Sequence, residues 1–321
     1  MFSKSSAKKN IKRRKVGNNV WLGYAGDGAD LKDFTRRKFV FEFEVLETEE
    51  AVGQAMLDEL LAYSKLKTGD IVIILLGGRG AQAMYKIINK LSQTGEIDAL
   101  LARLHVFTQD ALAPMRMNNG LSFVRDFERL LGDDFFQKIK SFTPMNTDTD
   151  DLEGELIEYL EKLERLGGID IFFLGLGPEA AAASHLAYIK PDSGANFSDI
   201  AGVIPISESI LEHHINKFKV GGSRVSEADE TECRSATHIL TLGPAAILGA
   251  KKIVQSIVDA STAPAKRASF KRLIETELSE NESRLQRQLD ENPGLWIRLH
   301  PNVRSLILPD VLSEPPAAAG G

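Results

Sequence analysis

Cysteine is nearly missing from this chain, and the single Cys233 excludes both an intramolecular disulfide framework and a CxxC metal site; a reducing, cytoplasmic setting is expected. No apolar run reaches bilayer-spanning length, and the first residues lack the apolar segment of a secretory signal, so an intracellular protein with no membrane partner is expected. Positive charge is also in deficit. Lys and Arg number 39 against 45 Asp and Glu, a formal net charge of −6, which argues against a nucleic-acid-binding surface on the globular part. Internal repeats are absent, and no helix-turn-helix pattern precedes the first strand. The exception to the acidic balance is the start of the chain. Lys4, Lys8, Lys9, Lys12, Arg13, Arg14 and Lys15 crowd a stretch with almost nothing apolar, which reads as an unstructured solvated tail or as an arm for a polyanion.

What is present suits an α/β protein. At 321 residues and 43% hydrophobic, the chain can build one large α/β domain or two ordinary ones. The clearest buried strand is Ile169 to Leu174, bounded by Gly168 and Gly175, as in a parallel sheet covered on both faces. Gly175 and Gly177 then turn the chain, and Pro178 suits the first turn of a helix, which would make an anion site at a strand's carboxyl end. A second such unit lies earlier: Asp70 to Leu76 runs into Gly77-Gly78-Arg79-Gly80, followed by a helical pattern from Ala81 to Leu91. Lys38 to Leu46 alternates as an edge or half-exposed strand, Glu47 to Leu66 has helical spacing, and Leu104 to Thr108 is a strand ending at Gln109-Asp110. An acid just past a strand end is either a cap or a catalytic group. Leu121 to Leu131 and Leu152 to Leu166 read as amphipathic helices. Val203 to Ile206, Thr237 to Leu242, Leu295 to Leu299 and Ser305 to Leu308 read as strands. The alternation predicts a doubly wound, mostly parallel sheet with helices on both faces, Rossmann-like. Residues 1–37 are expected to be a basic, largely unstructured extension, 38–311 the α/β domain, and 312–321 an unstructured tail.

The order of these motifs resembles the glucosamine-6-phosphate deaminase/isomerase and 6-phosphogluconolactonase superfamily over about Phe39 to Asp310. L-G-G-R-G-A-Q-A-M-Y, ending at Tyr85, is similar to the family's phosphate loop. F-T-Q-D-A-L at Asp110 is similar to F-x-x-D-E-Y, and Ser122-Phe123 loosely to S-Y-x-x-F. G-L-G-P-E-A-A-A-A is similar to G-x-G-x-D-G-H-x-A, Leu240 to Gly243 to L-T-x-G, and Ile297 to Asn302 to the late L-x-x-H-P-N. The resemblance implies a phosphorylated sugar as ligand, with phosphate held at Gly77, Gly78, Arg79 and Gly80 and Gly177 beside it, while His300 would either contact the substrate or cap a strand end. It implies proton transfer between C1 and C2 with Asp110 as base, without a cofactor or metal, and the possibility of a homo-oligomer. The lactonase branch would instead hydrolyse a sugar-acid lactone, and Ala183-Ser184 resembles that branch.

The departures from the pattern matter as much. The loop's hydroxyl residues fall at Arg79 and Gly80, although an arginine there offers a bidentate cationic contact. Aligned without a gap, the family's Asp, Gly and catalytic His become Glu179, Ala180 and Ala181, and a methyl group cannot shuttle a proton. The second acid of D-E-Y becomes Ala111, and the family's late lysine falls at Thr262. Two routes would restore an imidazole. If Pro178 to Tyr188 is helical, His185 shares a face with Ala181, four residues away. With a four-residue insertion, H-L-A-Y-x-K-P at His185 to Pro191 matches the family's H-I-A-F-x-E-P directly. On either route Glu179 and His185 would assist ring opening; otherwise His185 lies on a helix surface or in the core. His213 and His214 read as a solvent-facing pair rather than metal ligands. Three functions stay open: an amino-sugar-phosphate isomerase or deaminase, a sugar-phosphate-binding protein that has lost catalysis, and a lactonase.

Overall fold

The computed structural model describes residues 11–24, 41–180 and 183–313. Strands β1 (Ile11–Val16), β2 (Asn19–Tyr24) and β3 (Phe43–Val45) lead into helix α1 (Glu49–Leu66), β4 (Ile71–Leu75), α2 (Gln82–Thr94), the short α3 (Asp98–Leu101) and β5 (Leu104–Thr108). Then come β6 (Asp110–Ala113), α4 (Phe123–Lys138), β7 (Ser141–Thr143), α5 (Leu152–Arg165), β8 (Ile171–Ala180), β9 (Ala183–Leu186) and β10 (Asp199–Pro205). The remainder is α6 (Glu208–Val220), α7 (Glu227–Arg234), β11 (His238–Leu242), α8 (Pro244–Gly249), β12 (Lys252–Ile257), α9 (Ala265–Glu275), α10 (Glu282–Glu291) and β13 (Val303–Ile307).

The larger sheet runs β3-β13-β12-β8-β4-β5-β7 with every neighbouring pair parallel. β9 joins it antiparallel to the far end of β8. This is the predicted mostly parallel sheet with helices, and its central strands β4 and β5 are buried at every position. Such strands need both faces covered, which is why they carry near-continuous Val, Ile and Leu. Helices start on side-chain caps where the sequence supplies them: Thr48, Ser122, Asp151 and Ser207 each accept a backbone N–H of the following first turn. The second sheet, β1-β2-β10-β11-β6, is antiparallel throughout. The two sheets meet where β5 passes into β6.

Three expectations change here. Part of the basic extension is ordered: Ile11–Val16 pairs with Asn19–Tyr24 across a turn at Gly17, whose φ is +56°. Trp21 and Leu22, 0% and 1% exposed, anchor this hairpin in the core, and Arg14 bonds the Asp199 carboxylate. Its apolar residues follow the lysine run, so composition over Lys4 to Lys15 alone hides them. The expectations for residues 1–10, 25–37 and 314–321 lie outside the described residues. Leu295 to Leu299 is not a strand but part of a 3₁₀ turn over Pro293–Leu299, opened by proline. The segment after Gly177 is not a helix, as described below. Among the described residues no helix is long and apolar enough to cross a membrane.

Candidate functional site

The glycine loop after β4 forms one wall of a cleft at the carboxyl ends of the parallel strands. Glycine is required at two of its positions: Gly78 has φ +74°, and a Cβ on Gly77 would lie 2.4 Å from the Phe123 ring. The carbonyls on either side are already engaged, because the Tyr85 hydroxyl donates to Leu76 O at 2.7 Å and Ser256 Oγ donates to Gly80 O at 2.6 Å. Helix α2 starts immediately afterwards without a side-chain cap; the Gln82 N–H is taken by Arg79 O, and the following N–H groups of the first turn and the positive dipole end suit an anion. Arg79 does not project a free charge. Its guanidinium bonds Glu49 in the first turn of α1, Nη2 to Oε1 at 2.7 Å, so the loop's cation is already balanced.

The opposite wall comes from the crossing of the two sheets. Leu242 N donates to Gln109 O at 2.9 Å, and the chain bends from β5 into β6 so that both Gln109 and Asp110 line the cleft. Asp110 is 2% exposed, and its Oδ1 has no hydrogen-bond partner among the described residues. Burial pushes its pKa up to about 8, opposed only by a hydrogen bond from the Gln109 side chain. The carboxyl is therefore neutral through most of the physiological range and ionises at its upper end.

His185 reaches the same cleft by a route the sequence reading did not choose. β8 continues straight through Gly175 and Gly177 and folds back as β9, with Gly177 opposite His185 and Pro178 opposite Ser184. Leu176 and Leu186 pair across this hairpin and are 4% and 0% exposed, so burying both outweighs the helical preference of the alanines between them. Ala181 and Ala182 lie outside the described residues; Ala183–Leu186 is strand, so His185 does not stand on a helix. The imidazole lies on the Gly177 backbone, where a Cβ would sit 2.2 Å from Nε2, and stacks on Tyr188 at 4.2 Å. Ala187 and Tyr188, both left-handed with φ +48° and +58°, turn the chain so that Tyr188 N donates to His185 Nδ1 at 3.0 Å. Burial, reinforced by His213, Lys266 and Lys190, lowers the His185 pKa to about 3. The ring is neutral, and because Nδ1 accepts, its proton sits on Nε2.

Two cations in the cleft carried no motif. Lys217 of α6 and Lys266 of α9 both bond the Asp259 carboxylate, Lys217 at 3.0 Å, and both line the cleft. Lys266 Nζ also donates to Val258 O at 3.0 Å. Thr262, the position predicted for the family's lysine, bonds Lys217 Nζ at 2.8 Å, while Lys266 stands one helical turn further on. Two ammoniums against one carboxylate leave a surplus positive charge. Helical spacing offers the one available signal, since His213 and Lys217 are four residues apart on one face of α6.

Other predicted site residues fall elsewhere. Glu179 is outside the cleft lining: its carbonyl accepts from Ser209 Oγ, and burial raises its carboxyl pKa against a hydrogen bond from Ser207 and the charge of Lys190. His300 is also away from the cleft: its Nε2 donates to Ala250 O at 2.8 Å and its Nδ1 accepts from Asn302 N at 3.1 Å. It braces the starts of β12 and β13. The expectation of a solvent-facing His213-His214 pair is corrected. His214 is 3% exposed with Nε2 donating to Leu121 O at 2.7 Å, and His213 lines the cleft. Burial lowers both to about 4. Among the described residues no group of three His, Cys, Asp or Glu is arranged to hold a metal ion.

Comparison with known proteins agrees with the order of motifs. No family model matches the chain. Over 243 residues the chain is 26% identical to glucosamine-6-phosphate deaminase 1 of Bacillus subtilis, covering 74% of this chain and 85% of that protein. The solved structure of a monomeric glucosamine-6-phosphate deaminase superposes with a TM-score of 0.66 at 22% identity, covering 84% of this chain and 98% of that one. The 6-phosphogluconolactonase of Thermotoga maritima superposes with a TM-score of 0.56 at 13% identity, over 83% and 98% of the two chains. Both structural likenesses are of fold.

Proposed function

We propose that this chain, a member of the glucosamine-6-phosphate deaminase and 6-phosphogluconolactonase superfamily, binds a phosphorylated amino sugar in the cleft and moves a proton between its C2 and C1. The observation that carries this reading is the convergence of Asp110 and His185, brought from two different strand ends, on one cleft with the glycine loop, Lys217 and Lys266. The phosphate lies against the loop N–H groups, the start of α2 and the two lysines, which offset its negative charge. His185 Nε2–H donates to the ring oxygen as the ring opens, and then to the C1 carbonyl oxygen as negative charge develops there. The Asp110 carboxylate takes the C2 proton and returns it at C1, while a second proton passes from the C2 nitrogen to O1, leaving an imine at C2 and a hydroxyl at C1. Water adds to this imine and ammonia leaves.

The tautomer of His185 favours this reading over lactone hydrolysis. A base that activates water needs a free imidazole lone pair on the side of the substrate, and here that nitrogen carries the proton because Nδ1 accepts from Tyr188. The test is C2-proton exchange into deuterated water with glucosamine-6-phosphate. Exchange that disappears in Asp110→Asn, with ligand-induced stabilisation retained, supports the proton-transfer role; stabilisation without exchange in the wild type makes the cleft a binding site only. Since Asp110 must be ionised, kcat/KM should rise with pH up to about 8, because this ratio reports the free protein.

A further inference from the structure

Gln109 is buried in the cleft wall, 5% exposed, yet its side-chain carbonyl Oε1 has no hydrogen-bond partner among the described residues. Its own residue explains the orientation. The Gln109 amide lies against the Asp110 carboxyl and favours its ionised form, which sets the N–H end towards Asp110 and leaves Oε1 as the free end. A buried carbonyl left without a donor costs free energy unless something supplies one. Here the position of that missing donor is restricted: it lies in the cleft, beside the carboxyl that acts on C2. Among the described residues no donor of the wall lies within hydrogen-bond distance of Oε1.

We propose that Gln109 Oε1 accepts a hydrogen bond from the amino group on C2 of the ligand, making Gln109 the residue that selects amino sugar phosphates over sugars lacking a C2 donor. This rests on the sugar-phosphate reading of the cleft and deepens it. The pairing is chemically apt because one side chain then serves both reacting neighbours: its N–H steadies the Asp110 carboxylate and its carbonyl holds the nitrogen on the carbon being deprotonated. An ammonium arriving beside Asp110 also favours the ionised carboxylate, so the ligand prepares its own base. A C2 hydrogen in place of the amino group offers the carbonyl no donor.

The experiment is calorimetric binding of glucosamine-6-phosphate and 2-deoxyglucose-6-phosphate to wild type, Gln109→Met and Gln109→Glu. Gln109→Met keeps the side-chain length and removes the acceptor, and Gln109→Glu keeps an acceptor. The expected result is a tenfold to hundredfold loss of glucosamine-6-phosphate affinity in Gln109→Met, on the order of a charge-assisted hydrogen bond, with 2-deoxyglucose-6-phosphate affinity unchanged and the amino preference kept in Gln109→Glu. Equal losses for both ligands in Gln109→Met, or an unaltered preference, would overturn the assignment of Gln109 alone. Failure of the wild type to bind either sugar phosphate would instead overturn the reading of the cleft, and the proposal with it.

Discussion

Asp110, the proposed base, also carries a cost in stability. Its folded pKa, about 8, stands above the ordinary carboxylate value of about 3.9, so the folded protein holds a proton that the unfolded chain releases. Stability is unaffected below about pH 4, falls as pH rises from about 4 towards 8, and levels off above that. Asp110→Asn removes this slope, so the variant should melt higher than wild type at pH 8 by an amount equivalent to a few kcal/mol, and the two should coincide near pH 4. Thermal melts across that range check it, and parallel curves for the two proteins would mean that Asp110 is ionised in the folded state. The acid was legible in the sequence from its place after a strand. Its neighbour was not: nothing in F-T-Q-D-A-L marks Gln109, because the unpaired carbonyl arises only when two sheets close over it.

At the scale of elements, the hairpin of β8 and β9 decides whether an imidazole is present at all. The sequence reading weighed a helix, with His185 one turn beyond Ala181, and an insertion that matched His185 directly to the family's histidine. The strand pairing of Gly177 with His185 removes the first. Glycine periodicity could not choose between them, since G-L-G-P suits a helix start and a strand under close ring contact equally well. Gly177→Ala tests the packing: a Cβ 2.2 Å from the His185 ring must displace it, costing about 1–3 kcal/mol of stability and at least about a hundredfold in C2-proton exchange. Unchanged exchange would place the imidazole outside the reaction. The lysines were illegible for a related reason. Lys266 lies four residues beyond Thr262, where the resemblance sets the family's lysine, and Lys217 stands in no motif. Lys217→Met should weaken phosphate binding about tenfold or more while leaving C2 exchange at saturating ligand within a few-fold, measured by titration with glucosamine-6-phosphate and 2-deoxyglucose-6-phosphate alike.

Over the whole molecule, the buried apolar strands and the glycine turns made the parallel sheet readable, because strands covered on both faces must be apolar throughout. The antiparallel second sheet was harder. β6 and β10 are short or half polar at their ends, and Trp21 and Leu22 declare themselves as core only once the hairpin docks. That second sheet nevertheless shapes the cleft, since its junction with the first, at Gln109 and Leu242, builds the wall that carries Asp110, the proposed base. Ligand binding to such a junction should stabilise the fold as a unit: at a hundredfold excess over Kd, glucosamine-6-phosphate should add about 2.7 kcal/mol. The most direct measurement is the incorporation of deuterium at C2 of glucosamine-6-phosphate in deuterated water, followed by proton NMR with wild type and Asp110→Asn. Incorporation by the wild type and none by the variant is the predicted result. No incorporation by a wild-type protein that the same ligand demonstrably stabilises would contradict proton transfer in this cleft.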